Sequence, residues 1–209
     1  MAKPLIIGAS EFELAPLRGS VAETDCHLLV SGIGSTLSAA TLGNWLSSHH
    51  TDVSCVLFIG SCGSYFATLP IGAAVCCTRS TLCDSALARG EGYLPKLATR
   101  EYEASSRIND SIRIIGATPV VFASTTAITS SAELGEEIAR TTGARCENLE
   151  LFGVATACAL QKLPWAAISI VTNHVGANAH SEWRSNFAQA ADKTAQFVAR
   201  ILPALIHFR

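Results

Sequence analysis

Short, continuous apolar segments that stop at a glycine or a polar residue constrain the fold of this sequence most. Within them apolar residues follow one another instead of alternating with polar ones. Such runs are typical of strands in a parallel sheet that is covered on both faces. We therefore predict buried strands at 4–9, 27–30, 53–59, 73–78, 119–123 and 165–171.

Helical periodicity fills several of the segments between these strands, which predicts an α/β fold with a largely buried, mostly parallel sheet. We predict helices at 37–49, at 151–160 and from Ser181 onward. We expect Pro203 to break the last of them, because proline lacks the N–H that a helix interior needs.

Other parts of the pattern are less regular. Ser130 and Glu133 have capping-box spacing and predict the start of a further helix. Residues 84–113 are polar and richer in charge, so we expect a surface excursion there. No repeat or linker interrupts the chain, and we predict one domain over residues 1–209.

Charge and hydropathy exclude several classes of partner. The 209 residues include 15 Lys and Arg against 17 Asp and Glu, a formal net charge of −2 without any basic run. A nucleic-acid partner is therefore not expected. No apolar run approaches the ~20 residues of a membrane-spanning helix, and no signal-peptide pattern precedes the first strand. We expect a soluble, cytoplasmic protein that binds a small molecule.

The eight cysteines give no sign of a metal site or of a disulfide framework. Several lie inside the apolar segments, no Cys-x-x-Cys pair occurs, and the six histidines lack zinc-binding spacing. We expect reduced cysteines that pack as small hydrophobic residues in a cytoplasm. We expect neither a metal nor another cofactor.

Polar residues cluster where the predicted strands end. In α/β folds ligands bind beyond the carboxyl ends of the strands, so these clusters together predict one composite site. Each cluster alone also has a structural explanation, such as a plain turn or a carboxylate at a helix N-terminus. The clusters are Glu11 with Glu13, Gly60-Ser61-Cys62-Gly63, Glu147 with Glu150, and Thr172-Asn173-His174.

Two familiar motifs are incomplete in this sequence. Gly32-Ile33-Gly34 follows a strand, but Leu37 stands where a dinucleotide-binding turn has its third small residue, and the next strand ends without an acid. Ser61 does not lie in the Gly-x-Ser-x-Gly sequence of a nucleophile elbow.

Five short motifs, in order along nearly the whole chain, resemble the purine nucleosidase branch of the nucleoside phosphorylase family. That resemblance implies a three-layer α/β/α sandwich with a central, mostly parallel (mixed) sheet, and assembly as a homodimer. The motifs are Gly8-Ala9-Ser10-Glu11-Phe12-Glu13, Ser31-Gly32-Ile33-Gly34, Gly60-Ser61-Cys62-Gly63, Asn148-Leu149-Glu150 and Ser169 to Val175.

Within this branch the chain is most similar to the futalosine hydrolases of the alternative menaquinone pathway. Asn173, where adenosine-type nucleosidases carry Asp, and the later Trp183 carry that resemblance. The methylthioadenosine/S-adenosylhomocysteine nucleosidases come second. The implied substrate is a purine nucleoside.

The resemblance also implies roles for single residues. Glu13 matches the carboxylate that activates the attacking water, Glu150 matches the one that binds the ribose hydroxyls, and Asn173 faces the base. The implied substrate-binding residues are Ser61 and Gly63 in the turn along ribose and base, Leu149 under the sugar, its neighbour Asn148, and Ile128 at the place of an aromatic residue that stacks on the base. A futalosine side chain ends in a carboxylate, so we also expect a cationic contact. We choose Arg184 because it closely follows the strand-end site, with Arg79 and Arg100 as alternatives.

Two other functions remain open at this stage. A phosphorylase of this family carries a Gly-Asp-Pro-type first turn and arginines that clamp phosphate. Here Gly8-Ala9-Ser10 forms that turn, and the residues directly before Gly60 are Leu57, Phe58 and Ile59, none of them an arginine. A non-catalytic nucleoside-binding protein could share the fold. It would need neither carboxylate, so Glu13 and Glu150 favour an enzyme.

Overall fold

The computed structural model describes residues 2–22, 24–66 and 69–208. Its strands are β1 (Lys3–Gly8), β2 (His27–Val30), β3 (Val53–Ser64), β4 (Ala74–Leu82), β5 (Glu101–Glu103), β6 (Thr118–Ser124), β7 (Cys146–Asn148) and β8 (Trp165–His174). Its helices are α1 (Glu11–Leu14), α2 (Ser35–His49), α3 (Ser85–Arg89), α4 (Ser106–Ile114), α5 (Ala132–Thr142), α6 (Leu151–Leu160) and α7 (Ala179–Ile206).

The strands form one mixed, mostly parallel sheet in the order β2-β1-β3-β7-β6-β4-β5. Strand β8 bonds to both β3 and β4, so that β3, β7, β6, β4 and β8 close into a ring. The pairs β3–β7, β4–β5 and β4–β8 are antiparallel, whereas β1 runs parallel to both β2 and β3. This topology confirms the predicted fold class.

Alternation along the central strands builds two apolar layers. Leu5 and Ile7 of β1 pack in the cluster that contains Leu42 of α2 and Val154 of α6. Ile6, which points to the opposite face, packs in the cluster that contains α4 and α7 residues. Helices therefore cover both faces of the sheet, as a three-layer sandwich requires.

Three local predictions are wrong. Residues 84–113 form α3, β5 and most of α4, and Ile108 and Ile112 on α4 are fully buried against the sheet. Helix α5 is capped by Ser131 and not by Ser130, because the Ser131 hydroxyl accepts from the Leu134 N–H at 3.1 Å.

The third wrong prediction is a break at Pro203. Helix α7 continues to Ile206, since Ile201, Leu202 and Leu205 are buried and hold its last turns on the core. Burial of these side chains outweighs the single hydrogen bond that proline removes.

All eight cysteines are free and buried, which confirms that they pack as small hydrophobic residues. Over the described residues, the helices are each too short or too polar to cross a bilayer.

Candidate active site

A cavity of about 300 Å³ opens where β1, β3, β7 and β8 end. It brings together residues from every strand-end cluster that the sequence analysis singled out. Its lining comprises Ala9, Ser10, Glu13, Ile33, Ser61, Cys62, Gly63, Ile128, Glu147, Asn148, Leu149, Glu150, Asn173, Ala179, His180 and Trp183.

Glu13 lies in the first turn of α1 and bridges two backbone segments. One carboxylate oxygen accepts from the Ser10 N–H at 3.1 Å and the other from the Ser61 N–H at 3.4 Å. Burial and the negative charge of Glu150 together raise the pKa of Glu13 to about 7. A carboxyl group that titrates near neutrality suits a general base, which must take and release a proton in each turnover.

Glu150 directly precedes α6, and its carboxylate accepts from the Gly34 N–H at 2.9 Å. Gly34 leads into α2, so two helix starts meet at this carboxylate. Gly153 permits that approach, because a Cβ at this position would lie 1.9 Å from the carbonyl oxygen of Ser35. Burial raises the pKa of Glu150.

Asn148 fixes Glu150 relative to β3. Its side-chain oxygen accepts from the N–H groups of Glu150 at 2.8 Å and Leu151 at 2.9 Å, and its amide nitrogen donates to the Ser61 carbonyl at 3.2 Å. The side chain thus satisfies orphan N–H groups at the start of α6. Asn148 lines the cavity, but the hydrogen bonds of its side chain go to backbone groups and hold the start of α6 against β3.

The orientation of the Asn173 amide is set by its neighbours on β8. Its nitrogen donates to the His174 carbonyl at 3.3 Å, and its oxygen accepts from the Thr172 hydroxyl at 3.0 Å. Because a backbone carbonyl can only accept, a flipped amide would lose the bond to His174. The oxygen and the nitrogen each retain one hydrogen-bonding position for a ligand.

Glu147 is a second buried carboxyl group in the lining. It is 5% exposed, and it accepts from the Thr129 N–H and from the Tyr65 hydroxyl, both at 3.1 Å. Burial raises the pKa of Glu147, while these hydrogen bonds act in the opposite direction.

Aromatic rings of α7 form one wall of the cavity. Trp183 stacks between His180 and Phe187, with ring centroids 5.9 Å and 5.1 Å away, and Phe187 meets Phe12 edge to face. The Trp183 indole N–H donates to the Ser61 hydroxyl at 3.3 Å. The wall offers a flat apolar surface beside polar groups, as small-molecule sites do.

The structure does not bring Arg184 to the cavity. Arg184 is exposed on α7 and absent from the lining, which among the described residues contains no arginine or lysine. Of the alternatives, Arg79 pairs with Glu101 at 3.4 Å, and Arg100 also lies outside the lining.

Four residues of the strand-end clusters are also absent from the lining of the cavity: Glu11, Gly60, Thr172 and His174. Glu11 pairs with Arg18 on the surface, which lowers the pKa of Glu11. His174 is half-buried, and its backbone N–H donates to Glu182 at 2.8 Å.

Sequence reasoning assigned no role to several residues of the lining, among them Glu147, Cys62 and His180. Glu147 lay in a recognised cluster, and Cys62 lay within a quoted motif, but neither was chosen as a site residue. His180 could have been found from Trp183, because residues three apart share one face of a helix.

The arrangement can support cleavage of a bond to a sugar. It offers one carboxyl group with a pKa near neutrality, a second carboxylate held by a backbone N–H, and an oriented amide at the end of β8. Carboxylates in these roles stabilise oxocarbenium-like transition states and activate water.

Proteins similar to this chain include futalosine hydrolases and 5′-methylthioadenosine/S-adenosylhomocysteine nucleosidases. A futalosine hydrolase from Streptomyces coelicolor is 26% identical over 187 residues, which cover 85% of this chain and 79% of that protein. The crystal structure of a 5′-methylthioadenosine/S-adenosylhomocysteine nucleosidase from Helicobacter pylori matches with a TM-score of 0.88 at 21% identity, covering 98% of this chain and 99% of that one. The native futalosine hydrolase structure from Helicobacter pylori matches with a TM-score of 0.87 at 19% identity, covering 98% of each chain.

These similarities extend to the level of the family. Residues 6–206 match the Phosphorylase superfamily, and this stretch includes every strand-end residue that lines the cavity. The chain is a member of the Phosphorylase superfamily.

Proposed function

We propose that the protein is an N-glycosyl hydrolase that releases the base from a purine nucleoside. The observation that carries the proposal is the pair Glu13 and Glu150, which line one cavity and differ in environment. One carboxyl group with a pKa near 7 can exchange a proton with water, and the other, held by the Gly34 N–H, can act on the sugar.

In the proposed reaction Glu13 takes a proton from the attacking water. A cleft of about 40 Å³ beside Glu13, lined also by Ser10 and Thr194, offers room for about one water next to the carboxyl group. Water attacks the anomeric carbon as the bond to the base breaks, and the oxygen of the water becomes the new hydroxyl of the sugar.

Glu150 acts on the sugar. Its carboxylate accepts from a ribose hydroxyl and stabilises the positive charge that develops on the ring in the transition state. The hydrogen bond from the Gly34 N–H holds the carboxylate in place before the substrate arrives.

Asn173 acts on the leaving base. A purine departs more easily when N7 is protonated, and the Asn173 oxygen can accept from that N7–H. The amide nitrogen can then donate to the O6 atom of hypoxanthine.

We further propose that futalosine is the substrate and that hypoxanthine is the base released. The curated relative of this name and the amide at position 173 support this choice. The reaction would belong to menaquinone biosynthesis. The alternative substrates are methylthioadenosine and S-adenosylhomocysteine, in line with the other similar structures.

The test is to incubate the protein with futalosine, inosine and methylthioadenosine, with and without phosphate, and to measure free base and the sugar product. We expect hypoxanthine from futalosine at a rate independent of phosphate, together with a free reducing sugar. A sugar 1-phosphate would show a phosphorylase instead. Faster cleavage of methylthioadenosine would favour the alternative substrate, and binding without any cleavage would indicate a non-catalytic protein.

We also propose that the chain is a homodimer. Several large apolar side chains near the cavity mouth are exposed, among them Ile33 at 68%, Ile128 at 57% and Leu37 at 52%. Exposed apolar groups of this size are covered in many assemblies. Light scattering on the purified protein should give a mass of about two chains, and a mass of one chain would contradict the proposal.

A further inference from the structure

One buried carboxyl group of the cavity has no part in the hydrolysis proposed above. Glu147 lines the cavity, and its side-chain oxygens accept from the Thr129 N–H and from the Tyr65 hydroxyl, with a further hydrogen bond from the Thr129 side chain. A carboxylate has about four acceptor positions, so one remains beyond these three hydrogen bonds. Glu147 is therefore oriented before any ligand binds, and it can accept another hydrogen bond.

Glu147 lies beside the residue that we assign to the base. Gly63 separates the two, since a Cβ at Gly63 would lie 3.0 Å from the Asn173 side-chain nitrogen and 3.3 Å from the Cγ of Glu147. Ile128, next to Thr129, lines the same cavity. Because Gly63 has no Cβ, the Asn173 amide and the Glu147 side chain can both lie close to the backbone of β3, and so close to each other.

The hydrogen-bonding edge of the purine complements this pair. Hypoxanthine presents an O6 acceptor and an N1–H donor side by side, whereas adenine presents an amino donor and an N1 acceptor. A carboxylate has only lone pairs to offer, so it can accept from the N1–H of hypoxanthine and repels the N1 lone pair of adenine.

We propose that Glu147 determines base specificity by accepting the N1–H of a 6-oxopurine, and that Tyr65 is the positioning residue that holds its carboxylate. This inference rests on the proposed function. Under this proposal two residues on different strands, Asn173 on β8 and Glu147 on β7, recognise the base.

The test is Glu147→Gln, with binding of free hypoxanthine and free adenine measured by calorimetry. Glutamine can keep both local contacts, because its oxygen can accept from Thr129 and its amide can donate to the Tyr65 oxygen. The remaining amide hydrogen suits N1 of adenine. We expect hypoxanthine binding to weaken by ~5- to 150-fold, the cost of a mispaired buried group, and adenine binding to hold or improve.

The control is Glu136→Gln, which removes an exposed carboxylate on α5 and should change neither affinity. Equal losses for both bases in Glu147→Gln would show a structural role and overturn the proposal, and so would unchanged binding of hypoxanthine. Should Glu147→Gln not fold, Tyr65→Phe provides the measurement. It should lower the preference for hypoxanthine over adenine, and an unchanged preference would overturn the proposal.

Because free bases are used, this experiment is independent of turnover. A swap in base preference without any nucleoside cleavage would uphold the role of Glu147 while refuting the hydrolase. Cleavage of futalosine by the unsubstituted protein, together with an unchanged base preference in Glu147→Gln, would support the hydrolase and refute the role of Glu147.

Discussion

The negative charge of Glu150 acts on Glu13 and, together with burial, raises the pKa of Glu13 to about 7. Glu13 accepts a hydrogen bond at the start of α1, from the Ser10 N–H, whereas Glu150 accepts one at the start of α2, from the Gly34 N–H. Two carboxyl groups that line one cavity cannot both ionise easily. Burial raises the pKa of both groups, and the added repulsion from Glu150 brings the pKa of Glu13 to about 7.

The pH dependence of hydrolysis should report this coupling. A general base acts in its deprotonated form, so kcat/KM should rise with pH and level off above about pH 7. In Glu150→Gln the repulsion is lost while burial remains, so the midpoint of the residual activity should move to lower pH. The same midpoint in both proteins would refute the coupling.

Glu13→Gln should remove the general base while preserving the shape of the site. We expect a loss of ~10²–10⁴-fold in kcat with most ligand binding retained. Glu11→Gln is the matched control, because this carboxylate lies two residues away on the surface and pairs with Arg18. It should keep near-normal activity. Hydrolysis within a few-fold of normal in Glu13→Gln would show that Glu13 is not the base.

Asn173→Asp should move base preference towards adenine. An aspartate can accept from both a protonated N7 and the 6-amino group, whereas the amide matches O6. The unsubstituted protein should prefer futalosine to its 6-amino analogue by ~5- to 150-fold, and the variant should lower that ratio. Competition assays with the two nucleosides measure it directly, and an unchanged ratio would contradict the assignment of Asn173.

Gly153→Ala should both destabilise the protein and reduce its activity. Its Cβ would overlap the Ser35 carbonyl, so α6 would have to move away from α2 and carry Glu150 from the Gly34 N–H. Gly43→Ala on α2 is the control, since its Cβ would meet no atom within 4 Å. That variant should gain up to about 1 kcal/mol in free energy of unfolding from helix propensity. Thermal unfolding and kcat/KM on both variants separate the two effects.

Burial made much of the fold predictable from sequence. Strand 27–30 and helix 151–160 agree with the structure to the residue, because a mainly apolar run spans each of them. Strand β7 was missed, because it is three residues long and two of them are polar. Its residues, Glu147 and Asn148, are buried through hydrogen bonds that hydropathy does not report.

The candidate site was predictable where residues follow strands, and not where they lie on a helix. Arg184 was chosen because it follows the end of β8 closely in sequence. Each residue along a helix turns by about 100°, so the neighbour of a residue that faces the cavity points elsewhere. Trp183 faces the cavity, and His180, one turn earlier, shares its face.

The closed ring of β3, β7, β6, β4 and β8 has a consequence for motion. Strands at an open edge can fray or slide, but every member of this ring is bonded on both sides. We therefore expect the amide protons of these strands to exchange slowly with solvent, and those of the short α1 helix, which carries the proposed base, to exchange faster. The nucleoside would then enter a rigid cavity, and its entry would depend on the rotation of a few lining side chains, Trp183 and Ile128 among them.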